Sequence, residues 1–252
     1  MHAKNFILIL LGFSLHSCIF SPLKSPKDII HFQNTPVYEL AVAVNDDDVE
    51  KIERIVKNQD IDIDYENKVW KMSVLEVAVV NKKYKAIDCL MKFGADPFLK
   101  EKRQTAFSLA AEIGDLKSLD IMFKYINVDS MPADVAGFSL YDAQNHEDAF
   151  NLLVEHNLQK KDTVGTSIYE AVYVMEYKYA LKMLKLGVVF DDSVGIRYAD
   201  ELPGNTHLTI SELLRTKGGI NLDSTPKFIV DWRRKDLIDY LKEERGIDIY
   251  NK

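Results

Sequence analysis

Residues 73–97 read Ser-Val-Leu-Glu-Val-Ala-Val-Val-Asn-Lys-Lys-Tyr-Lys-Ala-Ile-Asp-Cys-Leu-Met-Lys-Phe-Gly-Ala-Asp-Pro, and residues 105–123 follow the same plan. In both stretches a hydroxyl residue that favours a helix N-terminus precedes a short helical segment. A polar break follows, and then a second segment carries apolar residues at helical spacing. Alanines, which let helices approach closely, recur about every 33 residues, at Ala43, Ala78, Ala110 and Ala143. The sequence therefore predicts a stack of helical pairs.

This pattern resembles the ankyrin repeat, whose period is about 33 residues. The specific matches are Phe93-Gly94-Ala95-Asp96 at the end of one unit, and Thr105, Ala110-Ala111 and Gly114-Asp115 in the next. Gly94 is expected to supply the left-handed residue that stops a helix. The resemblance implies a mainly α fold, an ankyrin-repeat solenoid of about five repeats. A helical repeat of another type is the alternative.

The remaining units are assigned by register with these two. Thr35-Pro36 to Val56 is the first repeat, Ser139 to Asn157 is a fourth that has lost about three residues between its helices, and Thr166 to Gly187 is the fifth. Residues 35–187 are thus the predicted repeats, and residues 188–252 are a C-terminal capping region with an irregular helical structure. A final amphipathic helix is predicted there, with inward-facing Trp232, Leu237, Ile238 and Leu241.

The N-terminal residues 1–17 have the features of a secretion signal. Lys4 precedes an apolar run from Phe6 to Leu15, which is too short to cross a bilayer of roughly 30 Å. Leu15-His16-Ser17-Cys18 resembles the lipobox of bacterial lipoproteins, which implies lipidation of Cys18 and a tether over residues 18–34. Ile19 in place of Asp implies anchoring in the outer membrane, facing the periplasm. The alternative is an ordinary signal peptide in which Cys18 is incidental.

Charge and cysteine content exclude several classes of function. The formal net charge is −7, and no basic block occurs, which argues against a nucleic-acid partner. The same charge argues against adsorption to anionic lipid, so membrane attachment is expected through the acyl chains. Besides Cys18 the only cysteine is Cys89, in a helical apolar stripe, so we expect a buried structural thiol and no disulfide framework.

The sequence contains no recognisable catalytic motif. A G-x-S-x-G elbow, an H-E-x-x-H helix, a C-x-x-C pair and a glycine-rich phosphate loop are all absent. His146-Glu147-Asp148 is more typical of a solvated turn than of a metal site. Asp46-Asp47-Asp48 lacks the ligand spacing of a calcium loop, and Asp48 is expected to cap a helix. We therefore predict a protein that is not an enzyme and has no cofactor or metal.

Ankyrin stacks usually bind through the tips of their loop fingers and the inner face of the first helices. By register with that family, the predicted partner-binding residues are Asn45, Asp46, Trp70, Met72, Val80, Asn81, Lys102, Gln104, Glu112, Ile113 and Tyr173. Trp70 is the leading candidate for an interface anchor. Its alternative role is packing against a neighbouring finger or the N-terminal tether. Tyr173 could instead fill the core between repeats together with Tyr169, Tyr177 and Tyr179.

The combination of a lipobox with an ankyrin array resembles the immunity proteins of type VI secretion phospholipase effectors. This resemblance implies a periplasmic, membrane-tethered protein, monomeric when free, that binds and neutralises a secreted lipase. The alternative is an envelope scaffold that binds an endogenous periplasmic protein. An enzyme with an unfamiliar site in residues 188–252 is a third class.

Overall fold

A computed structural model of the chain describes residues 28–58, 60–99, 104–192, 209–216 and 232–251. Within these residues the regular structure is helical, with no strand, which confirms the predicted mainly α class. None of the described helices has both the length and the apolar character needed to cross a bilayer. The predicted signal peptide, Cys18 and the first part of the tether lie outside the described residues.

The helices form pairs joined by short turns. In chain order the pairs of the five predicted units are α1 (Tyr38–Asn45) and α2 (Val49–Asn58), α3 (Val74–Val80) and α4 (Tyr84–Lys92), α5 (Ala106–Glu112) and α6 (Leu116–Phe123), α7 (Ala133–Asp142) and α8 (Glu147–Glu155), and α10 (Thr166–Tyr173) and α11 (Tyr177–Lys185). A short helix, α9 (Leu158–Lys161), precedes the fifth pair, and α12 (Ile210–Thr216) and α13 (Trp232–Arg245) follow it. Among the described residues three 3-10 turns accompany them: Ile29–Phe32, Val128–Ser130 and Ala143–Asn145.

The pairs stack into two layers. Each first helix packs on the first helix of the next pair, from α1 through α3, α5, α7 and α10 to α12. The second helices form the other layer, where α2 packs on α4, α4 on α6, and α6 on α8. Every unit therefore buries its apolar faces against its neighbours, which is the architecture of an ankyrin-type solenoid.

One turn geometry joins the two helices of four units. The second residue after the first helix is left-handed at Asp47, Lys82, Gly114 and Met175, with φ of 55°, 54°, 65° and 66°. The next backbone N–H then reaches back to a buried alanine carbonyl, at distances of 2.7–3.0 Å, in Ala43, Ala78, Ala110 and Ala171. Ala43, Ala78 and Ala110 are the predicted small residues, so the period found in the sequence is the period of this turn.

The fourth unit departs from the prediction. Its first helix begins at Ala133, directly after Pro132, and Ser139 lies in its middle rather than at its start. The Ser139 hydroxyl donates to the Val135 carbonyl within the helix at 2.7 Å, so it does not act as a cap. A 3-10 turn, Ala143–Asn145, replaces the left-handed residue. When the units are aligned by the ends of their first helices, Leu140, and not Ala143, occupies the position of the repeated alanine.

The helix ends use the side chains expected from the sequence. Ser73 with Glu76, and Thr105 with Ser108, form reciprocal capping boxes at the starts of α3 and α5. Asp48 accepts a hydrogen bond from the Lys51 N–H at 3.0 Å, which caps α2 as predicted. Gly94, with φ of 87°, ends α4: its N–H bonds to the Met91 carbonyl and the next N–H bonds to the Leu90 carbonyl.

The core runs the length of the stack between the two layers. First helices contribute Leu75, Phe107, Leu140 and Ile168, and second helices contribute Ile52, Leu90, Leu119 and Leu153; all eight are fully buried. Full burial of one such side chain stabilises the fold by about 1.5–3 kcal/mol. These side chains belong to one apolar cluster that continues from unit to unit.

A buried carboxylate organises the start of the fifth unit. Asp162 is fully buried and accepts hydrogen bonds from the Thr166 N–H at 2.8 Å, the Ser167 N–H at 3.0 Å and the Ser167 hydroxyl at 2.6 Å. Burial raises the pKa of this carboxyl, although these hydrogen bonds oppose the rise. The carboxylate thus caps α10 in place of the hydroxyl residue that caps α3 and α5.

This cap fits because Gly137 in α7 has no side chain. A Cβ added at Gly137 would lie 2.5 Å from the Cβ of Thr166 and 2.8 Å from Oδ1 of Asp162. Both neighbours are fully buried, so they have little freedom to move away. The glycine therefore sets how closely the fourth and fifth units approach.

The C-terminal region caps the stack as predicted, and its two described helices occupy the positions of a repeat. α12 packs on α10, and α13 packs on α11. Thr209 and Glu212 form the same reciprocal cap as Ser73 and Glu76, at 2.7 and 3.1 Å. The predicted inward residues of α13 are buried, at Leu237, Ile238 and Leu241. The side chain of Trp232 lies outside the described residues.

Gly137→Ala tests the close approach of the fourth and fifth units. Alanine normally stabilises a helix interior by about 1 kcal/mol relative to glycine. Here we expect a net loss of up to about 2 kcal/mol in the free energy of unfolding, because overpacking costs about 1–3 kcal/mol and outweighs that gain. Urea denaturation measures the change.

The control is Gly94→Ala, where an added Cβ meets nothing within 4 Å and only the left-handed backbone is penalised. Stabilisation by Gly137→Ala would contradict the proposed role of this contact.

Candidate functional site

The predicted residues at the ends of the first helices form a row along one edge of the stack. Asn45, Val80, Glu112 and Tyr173 are the last helical residues of α1, α3, α5 and α10. Because α1, α3 and α5 pack side by side in order, Asn45, Val80 and Glu112 occupy neighbouring positions, and α7 separates Glu112 from Tyr173 on α10. Asp46, Asn81 and Ile113 follow immediately in their turns, so the structure brings these predicted residues together.

The finger between the first and second units is built around Asn67. This side chain is fully buried, donates to the Met72 carbonyl at 3.0 Å, and accepts from the N–H groups of Val69 and Trp70 at 3.2 and 2.8 Å. Lys71 adopts a left-handed conformation, with φ of 54°, and closes the loop. The tight turn pushes Val69 and Trp70 outward, where they are 63% and 38% exposed.

Met72 does not belong to the binding surface. Only 8% of the residue is exposed, and its side chain joins the hydrophobic core. The cause is the loop closure at Asn67, which turns the chain inward after Lys71 toward the start of α3. The prediction placed Met72 at the surface because register alone does not show the direction of a side chain in an irregular loop.

Trp70 also contacts the N-terminal segment. Its indole Nε1–H donates to Nε2 of His31 at 3.1 Å, and the two rings meet edge to face with centroids 6.1 Å apart. His31 belongs to the 3-10 turn that precedes α1 and lies within the predicted tether. The alternative role expected for Trp70, packing against the tether, is therefore observed in its contact with His31. The remaining exposed surface of Trp70 is still available to a partner.

In the third unit two of the predicted residues contact each other, and a third lies outside the described residues. Gln104 donates a side-chain hydrogen bond to Glu112, so these two predicted residues lie side by side across the unit. Both are exposed. Lys102 lies outside the described residues.

The tyrosines of the fifth unit divide between core and surface. Tyr169, Tyr177 and Tyr179 are 8%, 3% and 9% exposed and pack in the core. The hydroxyl of Tyr179 donates to the Leu140 carbonyl, and burial raises the pKa of that phenol well above its ordinary value. Tyr173 stacks on Tyr169, with centroids 6.0 Å apart, yet is 39% exposed. Tyr173 is therefore a surface residue, as the binding hypothesis requires.

Two surface residues of the fifth unit were missed. Val174 and Met175 follow Tyr173 and are 43% and 46% exposed. They occupy the turn positions held by Asp46-Asp47 in the first unit and Asn81-Lys82 in the second. Aligning the units by these turns places them opposite polar residues of the first two units, but the third unit has Ile113 at the position of Val174, so the alignment alone does not show that they are exposed.

A groove of about 640 Å³ lies on the opposite layer, between α2, α4 and α6. Part of its charged rim is paired internally. Glu53 bonds to Lys57 at 2.9 Å and to Lys92 at 3.3 Å, and these lysines hold the pKa of Glu53 below its ordinary value. Lys124 lies 3.8 Å from Asp88. These ion pairs link neighbouring units, since Glu53 and Lys92 lie on α2 and α4, and Asp88 and Lys124 lie on α4 and α6.

The described residues offer little for catalysis. Among them no group of three His, Cys, Asp or Glu side chains is placed to hold a metal ion. Cys89 is 3% exposed in α4, and burial raises the pKa of its thiol, so the reactive thiolate is disfavoured. The buried-thiol prediction for Cys89 is confirmed.

Among known proteins, the chain is similar to several whose structures have been solved. No family model matches the sequence, and no curated protein matches it. An ankyrin repeat protein, EF0377, is 20% identical over 73% of this chain and 93% of its own, with a TM-score of 0.43. The ankyrin repeat domain of Bcl-3, from the IkappaB family, is 16% identical over 71% and 83% of the two chains, with a TM-score of 0.45.

The human ASB11 ankyrin repeat domain is 12% identical over 72% of this chain and 94% of its own, with a TM-score of 0.40. The description of this chain as an ankyrin-type solenoid rests on its own stacked helical pairs and on the turn that four of its units share.

The contact between Trp70 and His31 is testable by a double-mutant cycle. We expect Trp70→Phe and His31→Ala to be non-additive by about 0.5 kcal/mol, because a single neutral hydrogen bond contributes about 0.5–1.5 kcal/mol and this one is exposed. Urea unfolding of both single variants and the double variant gives the coupling. Strict additivity would show that the finger and the N-terminal segment are energetically independent.

Proposed function

We propose that this protein is a membrane-tethered binding module that neutralises a secreted phospholipase in the periplasm, as an immunity protein. The observation that carries the proposal is a stack of repeats with an exposed finger and a row of helix ends, half-buried at Asn45 and Val80 and exposed at Glu112 and Tyr173, together with the lipobox-like sequence Leu15–Cys18. Solenoids of this kind use extended surfaces to bind other proteins. The described part of the chain has no cluster of side chains placed to hold a metal ion, and burial disfavours the reactive thiolate of Cys89. These residues therefore give no support to a catalytic role.

The tether supports action close to a membrane. Phe32 is fully buried against the start of the stack, so the N-terminal segment is fixed to the first unit from that point. Between Cys18 and Asp28 the chain can span at most about 36 Å, at about 3.6 Å per residue. A lipid on Cys18 would therefore hold the first unit near the bilayer, where a phospholipase meets its substrate.

Inhibition would work by occlusion. A partner gripped by the finger and the helix ends would have its lipid-facing surface or active-site entrance covered by the stack. Tethering raises the effective concentration of the inhibitor at the membrane, which improves capture without any new contact. Because the chain carries a net charge of −7, we expect the bound surface of the toxin to be basic.

Lipidation is tested with Cys18→Ala. We expect the wild type to incorporate a metabolic fatty-acid label and to fractionate with the outer membrane, and the variant to lose the label and leave the membrane fraction. Cys89→Ala is the matched control, because that thiol is buried in α4 and should not affect attachment. A wild type without label whose fractionation is unchanged in Cys18→Ala would contradict the lipoprotein hypothesis.

Binding is tested with a secreted phospholipase, chosen because its gene neighbours the gene of this protein if such a gene is found there. We expect a complex by calorimetry and loss of lipase activity in the presence of excess protein. Trp70→Ala should weaken the complex at least about tenfold with an almost unchanged melting temperature, since an interface tryptophan can contribute more than about 2 kcal/mol.

Lys85→Ala, on the second-helix layer, is the control and should change affinity little, since a single exposed charge contributes at most about 1 kcal/mol. A fully active lipase with no complex would reject the immunity role and favour the envelope scaffold. Unfolding of Trp70→Ala would place this side chain in the core and contradict its interface role.

A further inference from the structure

The contact between Trp70 and His31 depends on the charge of the histidine. The indole Nε1–H of Trp70 donates to Nε2 of His31 at 3.1 Å, and the two rings meet edge to face at 76°. An indole nitrogen can only donate, and a protonated histidine carries hydrogen on both ring nitrogens. The hydrogen bond therefore exists only while the imidazole of His31 is neutral, with its proton on Nδ1.

Both sides of this contact are fixed by neighbouring groups. Asp28 caps the turn that carries His31, and Phe32 at the end of that turn is fully buried. On the finger, the backbone N–H of Trp70 donates to the buried side chain of Asn67 at 2.8 Å. None of these anchors involves the imidazole. Loss of the contact would therefore release the two side chains and leave both backbones in place.

Protonation would remove the hydrogen bond between the two rings. A proton taken up from solvent would occupy the lone pair of Nε2, so two N–H groups would point at each other. An imidazolium is attracted to the face of an indole ring, but here the indole directs its N–H edge at the histidine. The rings would have to rotate to gain that attraction, and the present contact is lost in either case.

Groups of both signs stand on the elements that meet at this contact. α1 packs against the turn that carries His31, and Trp70 belongs to the finger. Carboxylates favour an imidazolium, and ammonium groups oppose it. Among side chains of the types present, histidine alone ordinarily changes charge between about pH 5 and 8, so a response over that range reports His31. The other charged and titratable groups are Asp28 at the start of the turn, Tyr38 and Glu39 in α1, and Glu66, Lys68 and Lys71 in the finger.

We propose that the contact between His31 and Trp70 is a pH-sensitive latch between the N-terminal segment and the finger. The latch is closed while His31 is neutral and opens when His31 takes up a proton. Opening leaves the only hydrogen-bond donor of the indole ring free for an acceptor on a partner protein. As a control on the binding surface, the latch rests on the proposed function of the finger, but its opening is measured without a partner.

The indole N–H signal of Trp70 in nuclear magnetic resonance reports the latch directly. The full chain is labelled with ¹⁵N, and the signal is assigned by its absence in Trp70→Phe. Between about pH 8 and about pH 5 we expect the signal to move to the position that it has in His31→Ala, where the acceptor is missing.

Two glutamine variants are the controls. In His31→Gln the amide oxygen can replace Nε2 as the acceptor without titrating, so the Trp70 signal should keep its hydrogen-bonded position over the whole range. His156 follows α8 and stacks on Phe123 of α6, away from the finger. His156→Gln should therefore leave the response of the wild type unchanged.

The energetic coupling of the two side chains should depend on pH in the same way. A contact that only the neutral histidine makes stabilises the fold above the range of its titration and is lost as the pH falls through that range. The double-mutant cycle of Trp70→Phe and His31→Ala should therefore show a coupling of about twofold in the folding equilibrium constant at about pH 8, and additivity at about pH 5. Urea unfolding at both pH values gives the comparison.

Three results would overturn the latch. The Trp70 signal could stay in place between the two pH values, it could move equally in His31→Gln, or the coupling could keep its size at the lower pH. A phospholipase complex that weakens in Trp70→Ala, combined with a Trp70 signal that does not depend on pH, would retain the proposed function and reject the latch. A signal that moves as expected without any phospholipase complex would support the latch and reject the immunity role.

Discussion

The structure depends on the close approach of the two helices within each unit. In four units a left-handed residue follows the first helix, and the next N–H bonds to the carbonyl of a buried alanine. Because the alanine has almost no side chain, the second helix can fold back tightly, and the apolar faces of both layers become flat enough to stack. No unit buries its own hydrophobic surface, so each depends on its neighbours for stability. The first unit is covered by Phe32 from the N-terminal segment, and the fifth by α12 and α13.

Sequence reasoning succeeded where local chemistry and register agree. The second and third units combine a hydroxyl cap, a repeated alanine and a glycine or a polar pair at the turn, and all three features appear in the structure. It failed in the fourth unit, because Ser139 has the composition of a cap but lies inside α7, while the helix starts after Pro132. This unit lacks the cap and turn residues that mark the other units. The glycine at position 137 is explained only by its close tertiary contact with Asp162. Thr209 and Glu212 have the residue types and spacing of a capping pair. The long segment between them and the fifth unit prevented their alignment with the caps of the other units.

The candidate surface was predictable to the extent that it follows the register. The ends of the first helices line up because the helices stack, so four equivalent positions could be named without a structure. The finger was harder, since its side-chain directions depend on the buried Asn67, which exposes Trp70 and buries Met72. Val174 and Met175 were missed for a different reason. An apolar residue next to a helix is normally assigned to the core, and only its exposure in the folded unit shows otherwise.

Because the units repeat, residues that depart from the common pattern are informative. Core positions of a solenoid face nearly the same neighbours in every unit, so similar residues recur there for reasons of packing alone. Exposed apolar residues that interrupt the pattern receive no such support from the stack. The finger carrying Val69 and Trp70 lies between the first two units, and the turn carrying Val174 and Met175 belongs to the fifth. A partner that contacts both must extend across most of the repeats, and an interface of standard size, about 800 Å² on each side, provides such an extended contact. The spacing between the two departures thus favours a folded protein partner over a short peptide as the natural ligand.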